Sequence, residues 1–277
     1  MEHHTLVQLA LGDAVPAIGQ GTWFMGDAPA AREKEIATLR TGIELGLSLV
    51  DTAEMYGDGR SEDLVGEAIA PVRDEVFLVD KVLPSNASRQ GTITACERSL
   101  ERLGTDWIDL YLLHWPGAHP LEDTVEAFEQ LKDRGLIGAW GVSNFDPEEL
   151  SYLPGHPAAN QVLYNPSRRG IEFDLIPQQL SMKPPVPVMA YSPLEQGEML
   201  SDPTLNAIAQ ELGVSVAQVL IAWAIRSGSV IALPKSSSIE HVRQNAEAGS
   251  LRLNDEHLAR IDAAFPAPTS PVPLEVI

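Results

Sequence analysis

The sequence predicts an α/β protein folded as a (β/α)8 barrel, the TIM-barrel architecture, with a β-hairpin at its N-terminus. Three observations lead there. From residue 18 onward, short β-branched runs alternate eight times with helical patterns. The runs are almost wholly apolar, as in parallel strands covered on both faces, and do not alternate apolar with polar. Eight such units in roughly 250 residues match the size of a closed barrel, whereas a doubly wound sheet normally uses fewer strands.

The eight runs are IGQGT (18–22), LSLVDT (47–52), VFLVDK (76–81), IDLYLLH (108–114), IGAWGVSN (137–144), NQVLYN (160–165), VPVMAYS (186–192) and SVIALPK (229–235). Helical spacing fills the intervals, in REKEIATLRTGIELG, SEDLVGEAIA, TITACERSLERLG, TVEAFEQLKDRG, TLNAIAQELG and SVAQVLIAWAIRSG. Several of these end in glycine, which suits the left-handed residue that closes a helix. Residues 1–17 read as a hairpin turning at Gly12-Asp13, a favoured turn pair, and placed to plug the bottom of the barrel. The tail, 265–277, is too rich in proline for a helix and is either a loose end or an arm over the barrel. The expectation is a single domain over residues 1–277.

The 277-residue chain has a formal net charge of −20, which disfavours nucleic acid as a partner. An anionic cofactor would then need a local positive site. No apolar run reaches the roughly 20 residues of a membrane span, so no membrane partner is expected. The start, MEHHTLVQLALGD, lacks a basic segment and a long apolar one, so no signal peptide is expected. The single cysteine, Cys96, cannot form an intrachain disulfide and reads as a small core residue. A cytoplasmic, monomeric protein is the expectation.

Barrel active sites lie at the C-terminal ends of the strands. The polar residues there are Asp51, Lys81, His114, Ser143 with Asn144, Gln161, Tyr191 with Ser192, and Lys235 with Ser236. Tyr56 follows Asp51 in a glycine-punctuated loop. An acid, a tyrosine, a lysine and a histidine on one rim make chemical sense together. A phenol is a sluggish acid at neutral pH, and a nearby ammonium such as that of Lys81 lowers its pKa. Asp51 would keep Lys81 charged and oriented, Tyr56 would give a proton to a carbonyl oxygen, and His114 would orient that oxygen. No metal-binding set is expected, and His3 and His4 near the terminus read as solvent-exposed. The nucleophilic-serine, phosphate-cradling and dinucleotide-binding signatures are missing; Gly19-Gln20-Gly21 lacks the third glycine.

DTAEMYGDGRSE, with Lys81 and the later LLHWP, GVSNF, AYSPL and PKSSS segments in that order, resembles the aldo-keto reductase family over essentially the whole chain. The resemblance is closest to bacterial members that reduce methylglyoxal and similar aldehydes. It implies a catalytic tetrad of Asp51, Tyr56, Lys81 and His114, with NADPH as cofactor. It further implies that Ser143, Asn144 and Gln161 hold the nicotinamide carboxamide and that Tyr191 stacks on the ring. Gly21, Thr22 and Trp23 would line the nicotinamide side, and Ser192, Pro193 and Leu194 the pyrophosphate. Lys235 and Ser236, Ser237 and Ser238 would meet the adenosine 2′-phosphate, with Gln244 and Asn245 near the adenine.

The last site has independent support. Barrels commonly bind phosphate in the loops after strands seven and eight, against a helix N-terminus. There is one departure. Many family members carry arginine one turn into that last helix, where this chain has His241, with Arg243 two residues on. A neutral imidazole is a poorer phosphate partner than guanidinium, so a weaker NADPH preference is expected. The pocket lining expected from the sequence is Trp23, Phe24, Tyr56, His114 and Trp115, with short loops that favour small aldehydes and α-dicarbonyls. The competing reading is an NADPH-binding redox-sensing subunit with vestigial reductase activity.

Overall fold

The computed structural model describes residues 5–10 and 12–277; His3, His4 and the first part of the expected hairpin lie outside the described residues. The hairpin pairs β1 (Leu6–Gln8) with β2 (Ala14–Pro16) in antiparallel register, Val7 opposite Val15. Val7 and Val15 are both buried, and the Ala10 amide donates to the Ala158 carbonyl just before a barrel strand begins. The hairpin therefore sits against the N-terminal end of the strands, as expected.

The barrel strands are β3 (Gln20–Gly21), β4 (Leu49–Asp51), β5 (Phe77–Val82), β6 (Ile108–Leu113), β7 (Ile137–Ser143), β8 (Asn160–Leu163), β9 (Val188–Tyr191) and β10 (Val230–Leu233). They are parallel and neighbour one another in chain order. Isolated bridges between Ile18 and Ala232 and between Gly21 and Lys235 join the first strand to the last. The first strand is shorter than the five residues read from the sequence. Glycines at 19 and 21 carry no side chain to pack, and a Cβ at Gly19 would meet Leu49 Cδ2 at 2.6 Å.

The helices are α1 (Arg32–Glu44), α2 (Arg60–Ile69), α3 (Arg89–Leu103), α4 (Leu121–Asp133), α5 (Pro147–Tyr152), α6 (Leu175–Ser181), α7 (Pro203–Leu212), α8 (Val216–Ala224) and α9 (Ile239–Glu247). Those read from the sequence are all present, as α1 to α4, α7, α8 and α9; α5 and α6, of 6 and 7 residues, were not among them and are too short to show a helical period. One more helix, α10 (Asp255–Ala264), follows, started by an Asn254–His257 capping box. Gly104 and Gly213 close α3 and α7 in the left-handed region, at φ 62° and 68°. Cys96 is fully buried in α3, where burial pushes its thiol far above the usual range. No single helix among the described residues is long and apolar enough to cross a membrane.

The tail from 265 has neither helix nor strand. It is laid over the barrel: Glu275 pairs with Arg168 at 2.7 Å, and Val272 packs beside Gly170.

Candidate active site

Strand geometry sets the site. Asp51 ends β4 and pairs in register with Gly21 of β3 and Val79 of β5. Two residues on, Lys81 points to the same side as Val79, while Asp80 faces Ser99 and Glu62 on the helices outside. Lys81 is wholly buried. Its three N–H donors are all engaged, to Asp51 Oδ2 at 2.8 Å, the Thr52 carbonyl at 2.8 Å and the Tyr56 hydroxyl at 3.2 Å. The other Asp51 oxygen accepts from Gln161 Nε2 at 2.8 Å. An ammonium this dry persists only when every proton is received.

Tyr56 reaches Lys81 because the loop after β4 folds back sharply. Gly57 and Gly59 take φ values of 58° and 90°, open to glycine without strain. A side chain at Gly57 would also strike Asp27 Oδ1 at 2.6 Å. Since the Tyr56 oxygen accepts from Lys81, its own proton is left to point elsewhere. His114 follows β6; its ring lies edge-on to Tyr56, with centroids 5.8 Å apart.

The electrostatics differ from the sequence expectation in one respect. Burial pushes the Tyr56 hydroxyl above the usual phenol range; the Lys81 ammonium pulls it down and Asp51 pushes it up, and burial prevails. The expected net lowering by Lys81 is therefore not found: its pull is present but outweighed. Lys81 itself is shifted upward, because Asp51 and Tyr56 together overcome the opposing effect of burial. Burial, aided by the Lys81 charge, drives His114 down to about 2. His114 is thus a neutral imidazole at any ordinary pH, with a buried Nδ1 that has no partner among the described residues.

These groups open on a cavity of about 480 Å³ at the C-terminal rim. Gly21, Thr22, Trp23, Phe24, Asp51, Tyr56, His114, Trp115, Ser143, Asn144, Gln161, Tyr191, Ser192, Pro193, Leu194, Lys235 and His241 all line it, as the sequence indicated. Trp23 stacks on Phe24 with centroids 4.4 Å apart, and Trp115 lies 4.8 Å from the His114 ring. Ser143, Asn144 and Tyr191 are linked to one another and to the strands: Tyr191 donates to Asn144 Oδ1 at 2.9 Å, Asn144 Nδ2 donates to the His114 carbonyl at 3.0 Å, and Ser143 donates to the Gln161 carbonyl at 2.9 Å. Ser236, Ser237, Ser238, Gln244 and Asn245 lie outside the lining; the serines are half-buried and Asn245 is buried.

Some of the wall was not foreseen. Met55, Gln196, Gly197, Leu200, Leu233, Pro234 and Ile277 also line the cavity. The loop after β9 is not brief: it runs from Ser192 to Asp202, with irregular helical turns between Glu195 and Ser201. The expectation of uniformly short loops is corrected here, and the tail contributes wall through Ile277. Arg168 binds both pieces, pairing with Glu195 and with Glu275 at 2.7 Å each.

The backbone marks the same rim. Among the described residues, the non-glycine residues with positive φ are Phe24, Asp58, Asn144, Ser192, Glu195 and Gln196. Every one lies in or beside a loop that follows a strand, and four line the cavity. Sparsely populated backbone of this kind collects at functional sites.

A closed (β/α)8 barrel with a dry charged cluster and a cleft at this rim is the architecture of a barrel enzyme. Its family follows from sequence: the model of the aldo/keto reductase family matches residues 17–265, and the chain belongs to that family. It is 49% identical to methylglyoxal reductase YeaE of Escherichia coli, over 98% of this chain and 99% of that protein. It is 34% identical to glyoxal reductase of Bacillus subtilis, over 93% of this chain and 91% of that one. Among solved structures, an aldo/keto reductase from Klebsiella pneumoniae in complex with NADP and acetate superposes with a TM-score of 0.96 at 46% identity, covering 99% of this chain and all of that one. A second Klebsiella pneumoniae structure, in complex with NADPH, superposes with a TM-score of 0.95 at 47% identity, with the same coverage.

Proposed function

We propose that this protein reduces small aldehydes and α-dicarbonyls such as methylglyoxal to alcohols, using NADPH. One observation carries the reading: a tyrosine hydroxyl held by a buried lysine in a cleft that Lys235 also lines. The relatives named for methylglyoxal and glyoxal reduction, and the neighbours holding NADP or NADPH, point the same way.

The cleft fits such a cofactor. Its lining brings Tyr56 and His114 together with Ser143, Asn144, Tyr191, Pro234, Lys235 and His241, so one cavity holds both the tetrad and a cation suited to a phosphate. Ser143, Asn144 and Gln161 would hold the carboxamide, Tyr191 the ring face, and Gly21, Thr22 and Trp23 its flank. Ser192, Pro193 and Leu194 would follow the pyrophosphate. Lys235, Ser236, Ser237, Ser238 and His241 would receive the 2′-phosphate, and Gln244 and Asn245 the adenine.

When bound, the cofactor supplies a hydride. The chain's own residues handle the proton. A carbonyl oxygen seated between Tyr56 and His114 receives a hydrogen bond from each. Tyr56 gives up its proton as charge builds on that oxygen, a contribution of about 10²–10⁴-fold for general acid catalysis. The resulting phenolate faces the Lys81 ammonium, already 3.2 Å away, and Asp51 keeps that ammonium in place. His114, neutral throughout, orients the oxygen without competing to protonate it.

The substrate side is apolar and aromatic, from Trp23, Phe24, Trp115, Met55, Leu200 and Ile277. It offers few polar anchors for a sugar. With the longer loop after β9 in place, a small substrate is supported by the relatives rather than by short walls. The test is kcat/KM with NADPH for methylglyoxal, a nitrobenzaldehyde, glucose and a steroid ketone. Methylglyoxal and the nitrobenzaldehyde are expected to lead. A steroid ketone outranking methylglyoxal would overturn the substrate assignment.

A further inference from the structure

Glu35 is a carboxylate that neither the tetrad nor the cofactor contacts account for. It lies in the first turns of α1 and is buried, with 4% of its surface exposed. Its two oxygens join two loops, each of which contributes residues to the cavity wall. Oε2 accepts from the Gly26 amide at 3.0 Å, at the end of the loop that carries Trp23 and Phe24. Oε1 accepts from the Ser237 hydroxyl at 3.1 Å, in the loop after β10. Ser237 in turn accepts from Lys235 Nζ at 2.8 Å.

The result is a relay from ammonium through hydroxyl to carboxylate. A serine hydroxyl has one proton to donate. While that proton goes to Glu35, Ser237 offers no donor to an incoming phosphate, and Lys235 faces a buried negative charge through a single oxygen. The rest of this corner adds little positive charge to compensate. Glu240 and His241 stand exposed in the first turn of α9, and Arg243 is exposed beyond them.

We propose that Glu35 sets cofactor discrimination: its buried carboxylate, linked to Lys235 through Ser237, offsets the positive charge offered to an adenosine 2′-phosphate and so narrows the preference for NADPH over NADH. This rests on the reductase reading above. Glu35 also holds the Trp23–Phe24 loop through Gly26, so its charge can be altered without loss of position only by a substitution of the same shape.

Glu35→Gln meets that need, since its carbonyl can accept from Gly26 while its amide donates to Ser237. The experiment is titration of intrinsic tryptophan fluorescence on the full chain with NADPH and with NADH, without any carbonyl substrate. For Glu35→Gln, Kd for NADPH should fall about fivefold, as removal of one like charge near a partly solvated anion warrants. Kd for NADH should stay within about twofold, because NADH carries no 2′-phosphate. Glu35→Asp, which keeps the charge, should keep the wild-type ratio. Equal changes for both cofactors, or none, would overturn the assignment of Glu35. The wild type needs no variant to test the same point: 2′,5′-ADP should compete less than about tenfold better than 5′-AMP, within what one weakened charge-assisted contact gives. A ratio of about a hundredfold or more overturns the proposal, that being the strength of an unopposed charged contact. A wild type that binds neither NADPH nor NADH overturns the reductase reading itself, a distinct result.

Discussion

Two parts of the cleft, the wall around Tyr56 and the wall around Lys235, here called its two ends, are built on opposite physical plans. At the Tyr56 end, Lys81 is wholly buried, its three protons are received, and Asp51 is held in addition by Gln161. The groups sit on strand ends and in one glycine-shaped loop. At the Lys235 end, the ammonium is exposed, its one hydrogen-bond partner among the described residues is a half-buried serine, and the surrounding positions lie in a loop and the first turn of α9. In low dielectric each charge interaction is strong and one missing partner is costly; at a solvated site, salt and water reduce the same interaction to modest size. On the proposed function, the dry end governs turnover and the wet end governs cofactor affinity.

The largest effects are therefore expected from the dry end. Lys81→Met removes the charge facing the phenolate and leaves Asp51 buried without its partner. It should lower kcat at least about a hundredfold, because the general-acid contribution of about 10²–10⁴-fold depends on the ammonium that faces the phenolate. Asp51→Asn should do less, because Lys81 keeps the Thr52 carbonyl and the Tyr56 hydroxyl. Cofactor affinity should change little in either, read by fluorescence titration. If Asp51→Asn is markedly worse than Lys81→Met, the order of roles is wrong.

A second expectation concerns pH and also belongs to the dry end. His114 titrates near pH 2 and Tyr56 above its usual range. Between about pH 5 and 9 neither group changes charge, so kcat for a chemistry-limited aldehyde should show no limb there. The sign follows from both shifts: the imidazole stays neutral above its lowered pKa, and the phenol stays protonated below its raised one. A limb near 6.5 that His114→Gln removes would show that the imidazole titrates normally and that the site is wetter than described.

The smallest effect sharpens the contrast from the other side. His241→Arg places a guanidinium at an exposed position that lines the cavity. It should tighten NADPH by up to about tenfold, the gain of one charge-assisted contact, and leave NADH and kcat near wild type. The gain should shrink with added salt. Equal tightening of both cofactors would show that His241 does not face the 2′-phosphate.

How much of this was legible in the sequence follows the same division. Asp51, Lys81 and His114 stand at the ends of apolar runs, and a barrel delivers strand ends to one rim; Tyr56 was legible through the glycines that turn its loop. The loop after β9 was not, because Ser192, Glu195 and Gln196 adopt positive φ that their residue types do not signal, and Gly197 alone reads as a single turn. Nor was Ile277, whose place depends on Arg168 gripping Glu275 from far along the chain. Glu35 read as one more acid in the first turn of a surface helix, until packing closed Gly26 and Ser237 around it. The direction of the Tyr56 shift escaped for a related reason. Sequence shows that a lysine is near; only packing shows how completely water is excluded.

The central claim is that Tyr56 donates the proton while the rest of the cleft binds the cofactor. Tyr56→Phe tests it most directly, with methylglyoxal turnover and NADPH affinity measured on the same preparation. The account predicts a loss of about 10²–10⁴-fold in kcat, the range of general acid catalysis, with NADPH Kd nearly unchanged. A mutant that keeps more than about a tenth of wild-type turnover on a chemistry-limited substrate, well short of that range, would contradict it.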